Sequence, residues 1–269
     1  MPDTTYSAAN AYHYGSFVQA AYNMFVSDEK NLRPPAQDLP AGYQIVLYLT
    51  AVDHFVDDTE RVFYGFIAQS TTLPTEYVVA IRGTKDFIEW LIDAEFCPTE
   101  FISVPNSGKV EDGFYSVYKT LAGLTPDGQS QDVNSFVKNT VCGQRLICVG
   151  HSLGSAIANM LSLDMALNDA ATDLTLYALA PPKTGDGTFQ TVFNQRVPHS
   201  YQICNEPDIV PKVPPLYKSL NAIEDIDSKN FPKVKHSLGC YHALTTYLYT
   251  LNQESSFSLG TCDKTPPQA

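Results

Sequence analysis

Residues 145–160, RLICVGHSLGSAIANM, constrain this chain more than any other stretch. Leu146 to Val149 form an apolar run that reads as a buried strand. Ala156, Ile157, Met160, Leu161 and Leu163 then recur at helical spacing. Between the two lies Gly150-His151-Ser152-Leu153-Gly154, a G-x-S-x-G pattern. Side chains at its two glycine positions would collide where strand and helix come together, and the strain of the turn holds the serine hydroxyl up and exposed. The other reading is a buried strand-turn-helix with an incidental serine, so the rest of the chain must decide.

The chain has 269 residues, 44% of them hydrophobic and 17% charged, which suffices for one large core. With no internal repeat and no linker composition, a single domain over 1–269 is expected. A net charge of −12 and the lack of any Lys/Arg cluster exclude a nucleic-acid partner and steady attraction to an anionic membrane. A neutral small molecule is easier to accommodate. No apolar run approaches the roughly 18 residues of a membrane span. The first residues, MPDTTYSAANAYHYG, carry neither the basic nor the apolar part of a secretory signal, so a cytoplasmic location is the default expectation, or a secreted one if a signal has been trimmed.

Cys97, Cys142, Cys148, Cys204, Cys240 and Cys262 show no C-x-x-C pair and no metal-ligand spacing, so no metal site is expected. Cys148 and Cys204 fall within strand readings and are expected as buried thiols. Cys240 and Cys262 bracket the last helix reading and could be bridged.

In chain order, Tyr14, Phe17, Val18, Ala21 and Phe25 recur at helical spacing from Ser7 to Val26, and the prolines between Asn31 and Pro40 mark a loop. Gly42 to Leu49, Arg61 to Ala68 and Glu76 to Ile81 read as strands, the first two separated by a polar turn at Asp57-Asp58-Thr59-Glu60. After Arg82-Gly83-Thr84 comes KDFIEWLIDAEF, whose Phe87, Trp90, Leu91 and Ala94 form one stripe if the segment is helical; composition alone favours a core-facing helix here. Further helices are expected over Asp112 to Leu121, Gln131 to Val141, Gly187 to Gln195 and Tyr241 to Leu251. Further strands are expected over Asp173 to Ala180 and His199 to Cys204. Strands alternating with helices after residue 110 predict an α/β fold with a mainly parallel central sheet.

A serine hydroxyl is a weak nucleophile at neutral pH and needs a base, usually a histidine, itself oriented by a carboxylate. In α/β-hydrolases these follow the serine in the order Ser, Asp/Glu, His, just beyond strand ends. Asp208 lies four residues past the strand reading that ends at Cys204, in the stiff Asn205-Glu206-Pro207-Asp208-Ile209-Val210-Pro211 loop, with Glu206 as its nearest competitor and a plain turn role as the alternative. Downstream there are only His236 and His242. His242, in the first turn of the last helix reading, is preferred to His236, which follows a lysine-rich segment. His151 is expected to pack beneath the elbow. For the oxyanion, the N–H of Leu153 is one donor, and Thr84 can add its N–H and its hydroxyl, unless it serves only to cap the helix that follows.

Taken together, VVAIRGT with IEWLIDAEF, DGFYSVY, VGHSLGSAIA, NEPDIVPKVPP and YHALTTYL, in this order over residues 76–251, resemble the class 3 lipases, the family of the filamentous-fungal triacylglycerol lipases with bacterial lipase/esterase and feruloyl-esterase relatives. The resemblance implies an α/β-hydrolase fold, with a mainly parallel sheet flanked by helices and a short helical lid over 85–96. It implies Ser152 as nucleophile, Asp208 and His242 as triad partners, and Thr84 with Leu153 as oxyanion hole. Phe87, Ile88, Trp90 and Leu91 become lid residues that face substrate. It also implies a lipid or small ester as substrate, no cofactor, and an acyl-enzyme route, most specifically that of a triacylglycerol lipase. A soluble esterase for short-chain or feruloyl-type esters and a non-catalytic binding protein of the same fold are the alternatives. One departure is visible. Where many relatives carry a histidine before the Gly113-Phe114 pair, this chain has Glu111-Asp112, which is expected to alter the acidity of the pocket rim.

Overall fold

The computed structural model describes residues 5–55, 59–84, 87, 91, 95–168, 170–252 and 257–264. The turn expected at Asp57 and Asp58 and the lid residues Ile88 and Trp90 lie outside them. The elements are α1 (Ala8–Ser27), β1 (Tyr43–Val52), β2 (Arg61–Ser70), β3 (Glu76–Ile81), β4 (Pro98–Glu100), β5 (Lys109–Glu111), α2 (Asp112–Tyr118), β6 (Ala122–Leu124), β7 (Ser130–Gln131) and α3 (Val133–Thr140). They continue with β8 (Arg145–His151), α4 (Leu153–Leu167), β9 (Asp173–Leu179), α5 (Gly187–Arg196), β10 (Ser200–Asn205), β11 (Ile223–Ile226), α6 (Leu238–His242) and α7 (Leu244–Asn252).

Nine strands form one sheet in the order β11-β10-β9-β8-β3-β2-β1-β6-β7. From β11 to β3 every pairing is parallel, which is the part that the strand-helix alternation predicts. From β3 to β7 the pairings are antiparallel; β1, β2 and β3 follow one another without a crossover helix, as do β6 and β7, whereas β6 returns to the edge of β1 only after α2. The central strands β3 and β8 are buried on both faces, and their side chains alternate between two cores. Tyr77, Val79, Ile81, Leu146 and Cys148 point into the core under α2, α4 and α5. Val78, Ala80, Ile147 and Val149 point the other way, against α1 and α7.

The register aligns strand ends. Leu49 pairs with Gly65, Gly65 with Ile81, Ile81 with Gly150, and Gly150 with Ala178. The chain leaves the sheet along this line at the C-terminal ends of β1, β3, β8 and β9. Such an edge is where an open α/β sheet places its ligands.

Some boundaries differ from the sequence reading. The helix expected to Leu121 ends at Tyr118, and Ser130-Gln131 pair as β7 before α3 begins. The strands β4 to β7 and β11 are two to four residues long, too short to show a period. The last helix is broken at Ala243, whose ψ of 133° is extended. His242 is therefore the last residue of α6 and not in the first turn of α7.

Cys240 and Cys262 are disulfide-bonded, tying α6 to the end of the described chain across a separation of 22 residues. On the loop-entropy account the bond contributes about 3 kcal/mol. A Cys240→Ser, Cys262→Ser variant is expected to lose about that much in urea unfolding; an unchanged midpoint would show that the bond closes no entropy-costly loop. Cys148 and Cys204 are free, and burial pushes both thiols up to about 12.

Candidate active site

Ser152 follows β8 directly and precedes α4, at φ 59° and ψ −130°. A non-glycine residue at positive φ costs roughly 1–3 kcal/mol and persists only where the surroundings impose it. Here Ser152 N donates to Leu179 O at 3.0 Å and Ser155 Oγ to the same carbonyl at 2.7 Å. The two glycines permit the crossing of β3, β8 and α4. A Cβ on Gly150 would lie 2.4 Å from Gly154 O, and one on Gly154 would lie 2.4 Å from Ile81 O and 2.5 Å from Arg82 O. Backbone cannot yield as a side chain can. Gly154→Ala is therefore expected to destabilise by roughly 2 kcal/mol, read from a thermal or urea midpoint; a neutral outcome would mean that β3 and α4 can separate freely.

Across the gap stands His242. Its Nε2 is 2.8 Å from Ser152 Oγ, and its Nδ1 is 2.8 Å from Asp208 Oδ2. The carboxylate can only accept, so Nδ1 carries the hydrogen and Nε2 is left to accept from the serine. Asp208 is buried in the turn after β10. Its Oδ1 accepts from Val210 N at 3.0 Å and its Oδ2 from the Tyr247 hydroxyl at 2.8 Å. Burial, and then the Asp208 charge, push the Tyr247 phenol well above its ordinary value, so it remains a donor. Glu206, the competing acid, faces solvent and pairs with Lys229 at 3.5 Å. His236 is exposed, beside Lys264 Nζ at 3.2 Å.

Leu153 is the first residue of α4, where backbone N–H groups have no acceptor within the helix, and the helix dipole adds partial positive charge there. Thr84 lies three residues beyond β3, on the same sheet edge. Its hydroxyl, expected as an oxyanion donor, instead donates to Asp53 Oδ2 at 2.8 Å. Ser152 is only 1% exposed. Beside it a cavity of about 380 Å³ is lined by Tyr22, Asn23, Thr84, Phe87, His151 and His242 among others. Phe87 and Leu91, the described residues among those assigned to the lid face, are buried, and Phe87 packs its ring 5.9 Å from both Phe55 and Phe114.

Beneath the elbow a second network links the same loops. The Tyr22 hydroxyl accepts from Gly83 N at 2.9 Å and lies 3.0 Å from His151 Nδ1, and His151 Nε2 is 2.9 Å from the His242 carbonyl. The carbonyl only accepts, so the Nε2 of neutral His151 donates and Tyr22 supplies the hydrogen at Nδ1. Burial, reinforced by His242, holds His151 well below its ordinary value. The sign follows: below pH 6.5 the unfolded state takes up a proton that the folded state refuses, so stability falls with acid. From about pH 7.5 to about pH 5.5 this residue alone removes about 1 kcal/mol. The His151 ring proton signal is expected not to titrate over that range while the urea midpoint falls; a titrating signal would refute the assignment.

Glu111 does not sit on a rim. It is buried, caps α2 by accepting from Phe114 N at 2.8 Å, and burial pushes its carboxyl up. Tyr22, Tyr247 and Asp53 had no local signal in the sequence. Tyr22 lies off the apolar stripe of α1, Tyr247 within that of α7, and Asp53 just past a strand. Among the described residues no cluster of His, Cys, Asp or Glu could hold a metal ion, and no helix is long and apolar enough to cross a membrane.

The sequence profile described as Lipase (class 3) matches residues 78–218. Phospholipase A1-II 4 of Oryza sativa subsp. japonica is 28% identical over 221 residues, covering 69% of this chain and 56% of the relative. Phospholipase A1-IIgamma of Arabidopsis thaliana is 26% identical over 224 residues, 71% of this chain and 53% of the relative. The chain thus spans about half the length of these curated relatives. Among solved structures, the Rhizomucor miehei lipase propeptide complex superposes with a TM-score of 0.62 at 21% identity, over 94% of this chain and 82% of that one. The Lip2 lipase of Yarrowia lipolytica gives 0.60 at 16% identity, over 86% and 83%. These two share the fold.

Proposed function

The chain belongs to the class 3 lipase family, and on that premise we propose that it is a serine carboxylic ester hydrolase of lipase type, most specifically a triacylglycerol lipase, with Ser152, His242 and Asp208 as its triad. The observation that carries the reading is the hydrogen-bonded order Ser152 Oγ, His242 Nε2, His242 Nδ1, Asp208 Oδ2, with both links at 2.8 Å. His242 takes the Ser152 proton as Oγ bonds the carbonyl carbon, and the carbonyl electron pair moves onto oxygen. That oxyanion meets the N–H groups of Thr84 and Leu153. Its collapse breaks the bond to the alcohol, which leaves with the proton held by His242. Water then repeats the sequence on the acyl-enzyme and releases the acid.

The lid belongs to the same proposal. With Ser152 1% exposed and the Phe87 ring in the wall of the adjoining cavity, an ester reaches Oγ only once part of that wall withdraws. At a lipid surface the apolar Phe87 and Leu91 side chains have somewhere to go.

The test is an ester panel running from p-nitrophenyl acetate to emulsified long-chain triglyceride, with a feruloyl ester alongside. It includes phosphatidylcholine, since the plant relatives are named phospholipase A1. Hydrolysis of the triglyceride, with a jump in rate above substrate solubility, is the expected result. Activity confined to soluble esters would make the chain an esterase and remove the lid from the mechanism. A chain that a serine-directed phosphonate does not label would be a binding protein of this fold.

A further inference from the structure

The oxyanion loop is held by a carboxylate that comes from a distant part of the chain. Asp53 follows β1 directly, and β1 ends on the same sheet edge as β3, so the turn after it reaches the loop at Thr84. Both residues are buried. Thr84 Oγ1 donates to Asp53 Oδ2 at 2.8 Å, and Asp53 Oδ1 accepts from Phe55 N at 3.3 Å.

A threonine hydroxyl has one hydrogen to give, and a carboxylate accepts it more strongly than a neutral ester carbonyl does. A buried negative charge near a developing oxyanion is unfavourable in itself. It is tolerated here over a buried cation. Arg82 Nε donates to Phe63 O and Nη1 to Gly83 O, both at 2.8 Å, and its guanidinium lies 3.5 Å from the centre of the Phe25 ring. Burial works against the Arg82 charge, and Asp53 is among the groups that support it.

We propose that Asp53 is a positioning residue, binding the Thr84 hydroxyl as a tether so that the oxyanion is served by the Thr84 and Leu153 N–H groups and not by that hydroxyl. The inference rests on the hydrolase reading given above. It makes Thr84 a donor through its backbone, aimed by its side chain. The same loop is held from below by the Tyr22 hydroxyl on Gly83 N, so the donor is set from both sides before an ester arrives.

The test is a double-mutant cycle on a soluble p-nitrophenyl ester, reading kcat and KM for Asp53→Ala, Thr84→Val and the pair. Each single change is expected to lower kcat by roughly ten- to a hundredfold while KM stays within about twofold, because the tether acts on the transition state and not on ground-state binding. The pair is expected to be no worse than the poorer single variant, since both remove one interaction. Asp53→Asn, whose amide oxygen still accepts from the hydroxyl, is expected to recover about tenfold over Asp53→Ala. If the hydroxyl itself served the oxyanion, Asp53→Ala would free it and kcat would hold or rise, or the two losses would multiply; either result overturns the tether. Should Asp53→Ala not fold, Asp53→Asn decides, because a kcat above that of the parent chain would mean that the carboxylate only opposes the oxyanion. Phosphonate labelling of the unaltered chain separates the two levels. An unlabelled chain refutes the hydrolase reading, whereas a labelled chain indifferent to Asp53→Ala refutes only the tether.

Discussion

Ser152→Ala is expected to lower kcat on p-nitrophenyl esters by at least about ten thousandfold while the protein remains folded. The chemistry sets the size. Without Oγ no acyl-enzyme can form, and what survives is the acceleration that the oxyanion donors and the cavity give to attack by water. The fold should tolerate the change, because alanine meets the same backbone demand at φ 59° and the contacts that impose it, Ser152 N to Leu179 O and Ser155 Oγ to Leu179 O, are untouched. Circular dichroism and the urea midpoint check the second half of the expectation. A folded variant with more than a few per cent of the original rate would remove Ser152 from the chemistry.

Asp208→Asn is expected to cost a comparable factor, about ten thousandfold in kcat with little change in KM. An amide in place of the Asp208 carboxylate can present N–H toward His242 Nδ1, which favours the tautomer with hydrogen on Nε2, the atom that has to accept from Ser152. Val210 N donates to the other oxygen, Oδ1, which the amide keeps, so the side chain stays in place. Glu206→Gln is the control. That carboxylate is solvent-exposed and bonds Lys229, so kcat should stay within about twofold. Equal losses from both substitutions would point to damage to the loop after β10 and not to loss of a triad member.

What could be read from the residues depended on how local the physical cause was. The elbow was legible because the collision that demands Gly150 and Gly154 involves neighbouring elements joined by one turn. Asp208 was legible because Pro207 and Pro211 stiffen a short loop just past a strand. Placement alone favours His242 over His236, although the sequence pattern does not show the break at Ala243, where the backbone turns extended. The parallel half of the sheet followed from strand-helix alternation. Strands of two to four residues such as β6, β7 and β11 left no period to read.

The second layer of the site left no such trace. Tyr22 meets His151 across 129 residues of chain, and Thr84 meets Asp53 across 31. A hydroxyl or a carboxylate looks the same in sequence whether it faces water or a buried partner. Nothing near Thr84 in the chain announces the acceptor that reaches its hydroxyl from the end of β1, and nothing near Glu111-Asp112 shows that Glu111 caps α2 from inside.

The sequence by itself determined the turn at Ser152, the order in which Asp208 and His242 follow it and the family, because each depends on residues close in the chain or on motifs in fixed order. Tertiary structure alone decided how Asp53, Tyr22, His151 and Tyr247 hold those groups. Their contacts exist only once strand register brings the ends of β1, β3 and β8 to one edge and burial favours pairing of the polar groups there.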